Sequence, residues 1–298
     1  MEGVDKAIIS EWSSIKRLVD ERIEALVQDL DKVYLREVAR YIVEGGKRFR
    51  GFLTILLSRA SGGELEDSID AAIAIELVHS ASLAIDDMVD LDSRRRGKPS
   101  AWVAYTSSKA SLASLLLIAV AQRIVERYGF TAIKSVIRAW EDTVRGEILE
   151  AFHGDSLGDG DYLRVIELKT ASLFKLAAEL GVISSGREDL LDHAGRYGRL
   201  LGLIYQLSDD LVDYVTYTRA GKKLGPGELL YLKWIKRNTD GASIIDSTIP
   251  VIKTWIKEAQ TLALELASPR YQPILVELPV FISSKMLQEA GLELAGHQ

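Results

Sequence analysis

The sequence predicts an all-α protein whose 298 residues form one domain. Apolar residues recur every three or four positions through most of the chain, which is the spacing of helices that bury one face. Few stretches alternate apolar and polar residues as a half-buried strand would, and only 6 prolines occur. No linker or change of composition divides the chain, so we expect one bundle of about ten or more helices over residues 1–298.

The expected helices follow one another between turns that are rich in glycine. In chain order, we expect helices at residues 4–29, 32–43, 47–61, 66–91, 107–128, 130–155, 160–185, 188–218, 243–266 and 280–293. Glycine and proline mark the ends of such elements. The strongest breaks are GG at 45–46, SGGE at 61–64, RGKP at 96–99, HGDSLGDGD at 153–161 and GKKLGPGE at 221–228.

Charge and composition exclude several classes of function. The net charge of −6 argues against a sequence-independent nucleic-acid binder, which would carry a basic surface. The absence of cysteine excludes disulfides, thiolate zinc sites and thiol nucleophiles. The most apolar run, at 111–125, is too short and too soon charged to cross a bilayer, and the charged N-terminal stretch is unlike a signal peptide. We therefore expect a soluble, cytoplasmic protein.

The pattern Asp-Asp-x-x-Asp occurs twice, each time after an apolar helical run. The first aspartate motif comprises Asp86, Asp87 and Asp90, and the second comprises Asp209, Asp210 and Asp213. Residues i and i+4 lie one turn apart on a single face of a helix, so the outer two aspartates of each motif project together. The middle aspartate points about 100° away.

We expect a cation to stabilise these clustered carboxylates. Like charges at i and i+4 destabilise a helix, and burial raises carboxylate pKa values. Mg²⁺ prefers oxygen ligands and commonly combines one or two carboxylates with phosphate oxygens, whereas a chain without cysteine suits softer metals poorly. A single copy would suggest only a solvated helix end, and neither copy has the register of an EF-hand. Two copies favour Mg²⁺ ions that bind an anionic substrate between facing helices.

Basic residues near the motifs suit a phosphate-bearing substrate. GGKRFRG at 45–51 supplies Lys47, Arg48 and Arg50, and RRRGKPS at 94–100 supplies three arginines and Lys98. Arginine matches phosphate oxygens bidentately, and lysine acts as a point charge. His79 lies two turns before Asp86 on nearly the same face. The alternatives are solvated basic turns and a core histidine.

These motifs, in this order, resemble the trans-polyprenyl diphosphate synthases. The resemblance runs from about residue 40 to 225, through GGKRFRG, ELVHSASLAIDDMVDLDSRRRGKPS, ELKTASLF and YGRLLGLIYQLSDDLVDY. The second stretch is most similar to archaeal long-chain members of the hexaprenyl type. The resemblance implies the isoprenoid synthase fold, an all-α barrel around a deep central cavity, and usually a homodimer. It also implies the condensation of an allylic diphosphate with isopentenyl diphosphate, with two or three Mg²⁺ ions.

The resemblance assigns roles to particular residues. Both aspartate motifs would hold Mg²⁺ on the allylic diphosphate, with Asp87 less direct. Arg95 would contact the same diphosphate, and Lys169, Thr170 and Gln206 would lie beside it and the developing cation. The groups expected to act in catalysis are Asp86, Asp90, Arg95, Lys169 and Asp209. Isopentenyl diphosphate would be held by the basic cluster, which comprises Lys47, Arg50, His79 and Arg96, and a late lysine, Lys223 rather than Lys222, would bind substrate.

The chain departs from the family pattern at two further places. The Ala-Gly-Asp motif expected near 109–114 is replaced by KASLAS, and a family glutamine is replaced by Glu147. These departures concern supporting contacts and leave the aspartate motifs intact.

Product length in this family depends on side chains below the first aspartate motif. Ala81 and Ser82, five and four positions before Asp86, are small, and Leu77 and Val78 lie one turn deeper. Each cleared turn opens about 5.4 Å of depth. We expect a product longer than geranylgeranyl, near six isoprene units, unless Phe52 or Trp102 closes the cavity. The small residues also suit close helix packing alone, and a geranylgeranyl diphosphate synthase stays the alternative.

Three other classes explain the sequence less well. A terpene cyclase also uses aspartate-rich Mg²⁺ sites but needs no GGKRFRG or RRG element. A non-catalytic subunit of a heteromeric synthase typically lacks one aspartate motif, and both are present here. A helical calcium-binding module explains neither the arginines nor KTASLF.

Overall fold

The structure, a computed structural model, describes residues 2–30, 35–153, 157–158, 160–237 and 243–294. Most of these residues lie in helices. In chain order the helices are α1 Glu2–Asp29, α2 Leu35–Val43, α3 Phe49–Ala60, α4 Leu65–Val89, α5 Ala101–Ala104, α6 Ser107–Val125, α7 Gly129–His153, α8 Asp161–Ile166, α9 Ser172–Ser184, α10 Leu191–Arg219, α11 Pro226–Arg237, α12 Ile244–Leu266 and α13 Gln272–Glu289. Two short 3₁₀ helices, Glu126–Tyr128 and Glu188–Leu190, and a π-helical turn, Glu167–Ala171, complete them.

The all-α prediction is confirmed, and four details of it are wrong. Two helices were not expected: the short α5, Ala101–Ala104, and α11. The buried residues of α11, Leu230, Tyr231, Trp234 and Ile235, follow helical spacing, and Pro226 stands at its first position, where proline fits a helix. The last helix begins at Gln272 instead of residue 280. The helix expected over 160–185 is divided by the π-helical turn. Residues 32–34 and 154–155, also expected to be helical, lie outside the described residues.

A β-hairpin follows α4. Strands β1 Arg94–Arg95 and β2 Lys98–Pro99 pair antiparallel, with Arg95 opposite Lys98. The two residues of the loop, Arg96 and Gly97, have φ values of 52° and 80°. Positive φ at both loop positions matches the right-handed twist of a two-residue hairpin. The tight turn therefore fixes the directions in which neighbouring arginines project.

Contacts divide the chain into two compact units. The first comprises residues 1–8, 138–175 and 192–298, and the second comprises 9–137 and 176–191. In the second unit α4 packs against α3 and α6. The buried residues of α4 are mostly apolar, and they include the alanines Ala71, Ala72, Ala74 and Ala81.

Two helical stretches, Leu65–Val89 and Ser107–Phe152, are long and apolar enough to cross a membrane by length and composition alone. Inside the fold, 67% of the apolar window of Leu65–Val89 is buried. A helix that is apolar on all sides is expected in a protein core as well as in a bilayer. The burial therefore fits a core helix.

In the first unit, the π-helical turn lies against two glycines on neighbouring helices. A Cβ atom on Gly146 of α7 would lie 2.6 Å from the backbone nitrogen of Lys169. A Cβ atom on Gly202 of α10 would lie 2.5 Å from the Cα of Ala171. Both distances are far below van der Waals contact, so only glycine allows the two helices to approach the turn this closely.

We expect Gly202→Ala to destabilise the protein. Alanine normally favours a helix over glycine by about 0.5–1 kcal/mol, but overpacking against backbone costs about 1–3 kcal/mol. The melting temperature should therefore fall. Gly3→Ala in α1 is the matched control, because no atom lies within 4 Å of the added Cβ. Equal melting temperatures for the two variants would contradict the close approach.

Candidate active site

The first aspartate motif lies at the C-terminal end of α4. Asp86 and Asp87 occupy the last turn, and Asp90 caps the helix with its N–H bonded to the carbonyl oxygen of Asp86 at 2.9 Å. The helical backbone continues through Asp90, whose φ and ψ are −82° and −4°. The Asp86 side chain is 16% exposed and its Oδ1 is buried, whereas Asp90 is exposed at the end of the helix.

Asp87 and Arg95 form a buried ion pair. The Asp87 side chain is 3% exposed, and its Oδ1 accepts from Arg95 Nε at 2.8 Å and Nη2 at 2.5 Å. Arg95 Nη2 also lies 3.6 Å from Asp86 Oδ2. Burial raises the pKa of Asp87, although the arginine opposes that rise. The hairpin thus carries a guanidinium to the base of the first aspartate motif.

The basic cluster contains an arginine–histidine pair. Arg50 Nη1 lies 3.0 Å from His79 Nε2. Arginine only donates hydrogen bonds, so this histidine nitrogen accepts and the ring proton resides on Nδ1. Burial and the charges of four arginines hold the pKa of His79 well below its usual value. His79 is therefore a neutral group among cations.

Arg48, between the two predicted phosphate ligands of GGKRFRG, is a structural residue. It is 3% exposed, and its Nε donates to Asp20 Oδ1 at 2.7 Å. Its Nη1 lies 3.6 Å from the buried Glu76, whose Oε1 accepts from the backbone N–H of Gly51 at 2.8 Å. These contacts fix the loop between α2 and α3, while the side chain of Lys47 is exposed.

Arg96 and Lys98 also extend from the hairpin toward the end of α2. Arg96 Nη1 donates to the carbonyl oxygen of Glu44 at 2.9 Å. Lys98 Nζ lies 2.5 Å from the Glu44 carboxylate. Burial and nearby arginines lower the pKa of Arg96. A bound anion would offset the cost of keeping this buried guanidinium charged beside other arginines.

The second aspartate motif lies on α10 in the first unit. Asp210 Oδ2 accepts from the Tyr162 hydroxyl at 2.5 Å, and its Oδ1 accepts from Gln206 Nε2 at 3.0 Å. Gln206 Oε1 in turn accepts from the Thr170 hydroxyl at 2.7 Å. A chain of hydrogen bonds thus links Thr170 of the π-helical turn, through Gln206, to Asp210 of the motif.

Burial raises pKa values in the second aspartate motif. The pKa of Asp210 is raised to about 7, mainly by burial and further by Asp209 and Asp213, while the bonds from Tyr162 and Gln206 oppose the rise. Burial and Glu228 raise the pKa of Asp213. Charge on these carboxylates is therefore unfavourable without a cation.

Lys169 lies between two carboxylates of α7. Its Nζ is 2.6 Å from Glu150 Oε2 and 3.1 Å from Glu147 Oε2. Glu147 is one of the residues that depart from the family pattern, and here it forms part of the ion pair. The π-helical turn thus directs Lys169 and Thr170 to different partners, α7 and α10.

The predicted chain-length residues lie on buried turns of α4. Ala81, Leu77 and Val78 are buried, and Ser82 Oγ donates to the His79 carbonyl oxygen at 2.9 Å. Of the two residues considered as a floor, Phe52 packs on Phe49 with ring centroids 5.7 Å apart, and Trp102 Nε1 donates to the Asp92 carbonyl oxygen at 2.8 Å.

The two late lysines differ in their surroundings. Both lysines are exposed, and Lys222 Nζ also lies 5.8 Å from the centroid of the Tyr217 ring. Both follow the end of α10, where the N–H of Lys222 bonds to the Tyr217 carbonyl oxygen at 2.9 Å. The structure does not bring Lys223 into the hydrogen-bonded chain of the second aspartate motif.

Sequence reasoning missed two residues of these clusters. Tyr162 contacts a motif 48 positions away, and no local spacing in the sequence indicates that contact. Glu150 follows Glu147 by three positions, which places both on one face of α7. That spacing was visible in the sequence.

A hard divalent cation fits this set of donors. Every candidate ligand is a carboxylate oxygen: Asp86, Asp87 and Asp90 on α4, and Asp209, Asp210 and Asp213 on α10. Oxygen ligands suit Mg²⁺ and suit softer metals poorly. The raised pKa of Asp210 means that a bound cation would relieve an existing electrostatic cost.

Comparison with known proteins agrees with this fold and these motifs. The structure of a geranylgeranyl pyrophosphate synthetase from Pyrococcus horikoshii superposes with a TM-score of 0.82 at 25% identity, with 93% of this chain and 98% of that one covered. The heptaprenyl diphosphate synthase of Staphylococcus aureus superposes with a TM-score of 0.78 at 23% identity, over 92% and 98% of the two chains. The fold is that of the isoprenoid synthases.

A family model described as polyprenyl synthetase matches residues 32–226. The chain is 34% identical to a hexaprenyl pyrophosphate synthase of Saccharolobus solfataricus, with 96% of this chain and 99% of that protein covered. It is 30% identical to a geranylfarnesyl diphosphate synthase of Methanosarcina mazei, over 87% and 88% of the two chains. The chain is therefore a prenyltransferase of the trans-prenyl diphosphate synthase class. It belongs to the polyprenyl synthetase family.

We expect the stability of the metal-free protein to depend on Asp210. A pKa raised from 3.8 to about 7 means that the folded protein retains a proton that the unfolded chain has released. This contribution is fully present below pH 3.8 and is lost as the pH rises through about 7. Asp210→Asn never ionises. In EDTA, the melting temperature of this variant minus that of the wild type should therefore increase between about pH 4.5 and about pH 8, because the wild type loses the contribution of Asp210 over this range. A constant difference would contradict the assignment.

Proposed function

We propose that this enzyme condenses an allylic diphosphate with isopentenyl diphosphate in a Mg²⁺-dependent reaction that ends near the hexaprenyl product. The observation that carries the proposal is the presence of both complete aspartate motifs together with the basic cluster. A relative that is 34% identical over nearly its whole length is a hexaprenyl pyrophosphate synthase, which supports the long product.

Two groups of residues bind the two substrates. The carboxylates of both aspartate motifs, with Asp87 less direct, would hold two or three Mg²⁺ ions on the allylic diphosphate, and Arg95 and Lys169 would donate to its oxygens. Bound Mg²⁺ stabilises the negative charge that builds on a leaving diphosphate. Lys47, Arg50 and Arg96 bind isopentenyl diphosphate, and neutral His79 offers its Nδ1–H as a further donor. Lys223 is a further substrate ligand.

The difficult step is the heterolysis of the allylic C–O bond. The bond electrons leave with the diphosphate, whose charge is stabilised by preorganised donors. The allylic cation is stabilised by its own delocalisation and by the dipoles of Thr170 and Gln206. The double bond of isopentenyl diphosphate attacks this cation to form the new C–C bond, and the resulting cation loses a proton to the released diphosphate. No side-chain nucleophile takes part.

The chain-length part of the proposal rests on α4. Ala81 and Ser82 are the small side chains one turn below the first aspartate motif, and the buried Leu77 and Val78 follow one turn deeper. The contacts of Phe52 with Phe49 and of Trp102 with Asp92 give both aromatic rings other partners. Geranylgeranyl diphosphate remains the alternative product, because a geranylgeranyl pyrophosphate synthase of Geoglobus acetivorans is 31% identical over 70% of this chain.

We also propose that the enzyme is a homodimer of single-domain chains in the cytoplasm. Leu112 and Leu115, three residues apart on α6, are 55% and 59% exposed. On α7, Val144, Ile148 and Phe152 repeat every four residues and are also exposed. Apolar stripes of this kind are typical of surfaces that a second copy covers. Sedimentation of the purified protein as a monomer at micromolar concentration would contradict this part of the proposal.

Product analysis tests the reaction. Purified protein with Mg²⁺, labelled isopentenyl diphosphate and an allylic primer should give a ladder of products that ends near six isoprene units. Asp86→Asn and Asp209→Asn should each lower kcat by about 10²–10³, because each removes charge that binds the metal at the leaving group. Products of four units would preserve the activity and refute the chain length. The absence of elongation with any primer would refute the activity.

Ala81→Phe should shorten the product. A phenylalanine ring one turn below the first aspartate motif would fill a depth of about 5.4 Å, which is one turn of α4, and would block the growing chain. Chromatography of dephosphorylated products gives the length directly. Ile137→Phe, at a position on α7 that is 56% exposed, is the control and should leave the product length unchanged. An unchanged product length in Ala81→Phe would refute the role of Ala81.

A further inference from the structure

We propose that Tyr162 is a positioning residue for the second aspartate motif, in which its hydroxyl fixes the orientation of the Asp210 carboxylate. The inference rests on the proposed function, because it concerns how the chain binds a magnesium-bound diphosphate. It assigns a role to a residue that lies outside both aspartate motifs and outside the basic cluster.

The ring of Tyr162 is held rigidly on α8. The residue is 2% exposed, and its ring stacks on Trp234 with centroids 4.9 Å apart and an interplanar angle of 28°. Its ring centroid also lies 5.6 Å from that of Tyr231. The Tyr231 hydroxyl bonds with the Thr248 hydroxyl at 2.6 Å, which ties α11 to α12. Because these aromatic contacts fix the ring, the hydroxyl of Tyr162 is held in a single position, next to Asp210.

The Asp210 carboxylate is anchored at both oxygens. Tyr162 donates to Oδ2 and Gln206 donates to Oδ1, so rotation of the carboxylate would break at least one bond. Thr170 orients the Gln206 amide by donating to its oxygen. Each carboxylate oxygen has two lone pairs, so a second lone pair on each remains for a metal ion or its water.

Of the two residues that hydrogen-bond to Asp210, only Tyr162 fixes the carboxylate relative to another helix. Gln206 lies four residues before Asp210 on the same helix, so the Gln206 bond moves with α10. Tyr162 belongs to α8 and fixes Asp210 relative to a different element. The same short segment, residues 161–171, also carries Lys169 and Thr170, so α8 and the π-helical turn position three contacts together. Residues that orient metal ligands in this way typically contribute 10–100-fold in metal affinity.

Tyr162→Phe tests the inference without turnover. Isothermal titration of inorganic pyrophosphate at several Mg²⁺ concentrations should show binding about tenfold weaker than in the wild type. Tyr231→Phe is the matched control, because it removes another buried hydroxyl of the same aromatic cluster whose partner is a threonine. We expect Tyr231→Phe to bind like the wild type. Melting temperatures of both variants show whether they fold.

Catalysis and a double variant give independent readings. In the elongation assay, Tyr162→Phe should raise the Mg²⁺ concentration for half-maximal rate by about tenfold, with product length unchanged. If Tyr162 acts through Asp210, adding Tyr162→Phe to Asp210→Asn should weaken pyrophosphate binding no further. Binding equal to the wild type, equal losses in Tyr162→Phe and Tyr231→Phe, or additive losses in the double variant would each overturn the inference.

The two proposals fail in different ways. If the wild type binds magnesium pyrophosphate but elongates no primer, the reaction is refuted and the titration still decides the role of Tyr162. If the wild type elongates primers and Tyr162→Phe does so with unchanged Mg²⁺ dependence, the reaction stands and the positioning role is refuted. If the wild type does not bind magnesium pyrophosphate, the positioning role is refuted directly.

Discussion

The concentration of carboxylates at two positions on buried helices is the constraint on which the rest of the structure depends. Like charges a turn apart repel, and burial adds to the cost of ionising them. In the first aspartate motif, Arg95 offsets part of that cost by pairing with Asp87, although burial still raises the pKa of Asp87. In the second, neutral donors from Tyr162 and Gln206 hold Asp210, and its pKa remains raised to about 7. The two motifs therefore share a sequence pattern but differ in electrostatic support.

Two unusual backbone features supply those supporting groups. The hairpin after α4 turns back through Arg96 and Gly97 with positive φ values, which brings Arg95 to Asp87. The π-helical turn sends Lys169 toward α7 and Thr170 toward Gln206. An extra residue in a helical turn changes the direction of successive side chains, and such turns are frequent at functional sites. Gly146 and Gly202 make room for that turn.

The sequence predicted the parts of the site that depend on local spacing. Apolar periodicity placed α4 and α10, and the i, i+4 rule placed the outer aspartates of each motif. It did not predict α11, because a proline among glycines, as in GKKLGPGE, is typical of a turn as well as of the first residue of a helix. It did not predict the contact of Tyr162 with Asp210 or the burial of Arg48, because each depends on a partner from another element. Tertiary contacts of this kind leave no periodic trace.

The difference between the two motifs follows from the charge of their partners. A cationic partner cancels the charge of Asp87, so the pair is neutral as a whole and leaves little for a metal ion to offset. A phenol and an amide orient Asp210 but cancel none of its charge when it ionises. A buried carboxylate that is held by neutral donors keeps its full negative charge for a cation when it ionises. Its raised pKa reflects the free-energy cost of ionising it in a buried position. Orientation without neutralisation is the property that a metal ligand requires, and the aromatic cluster of α8 and α11 supplies it.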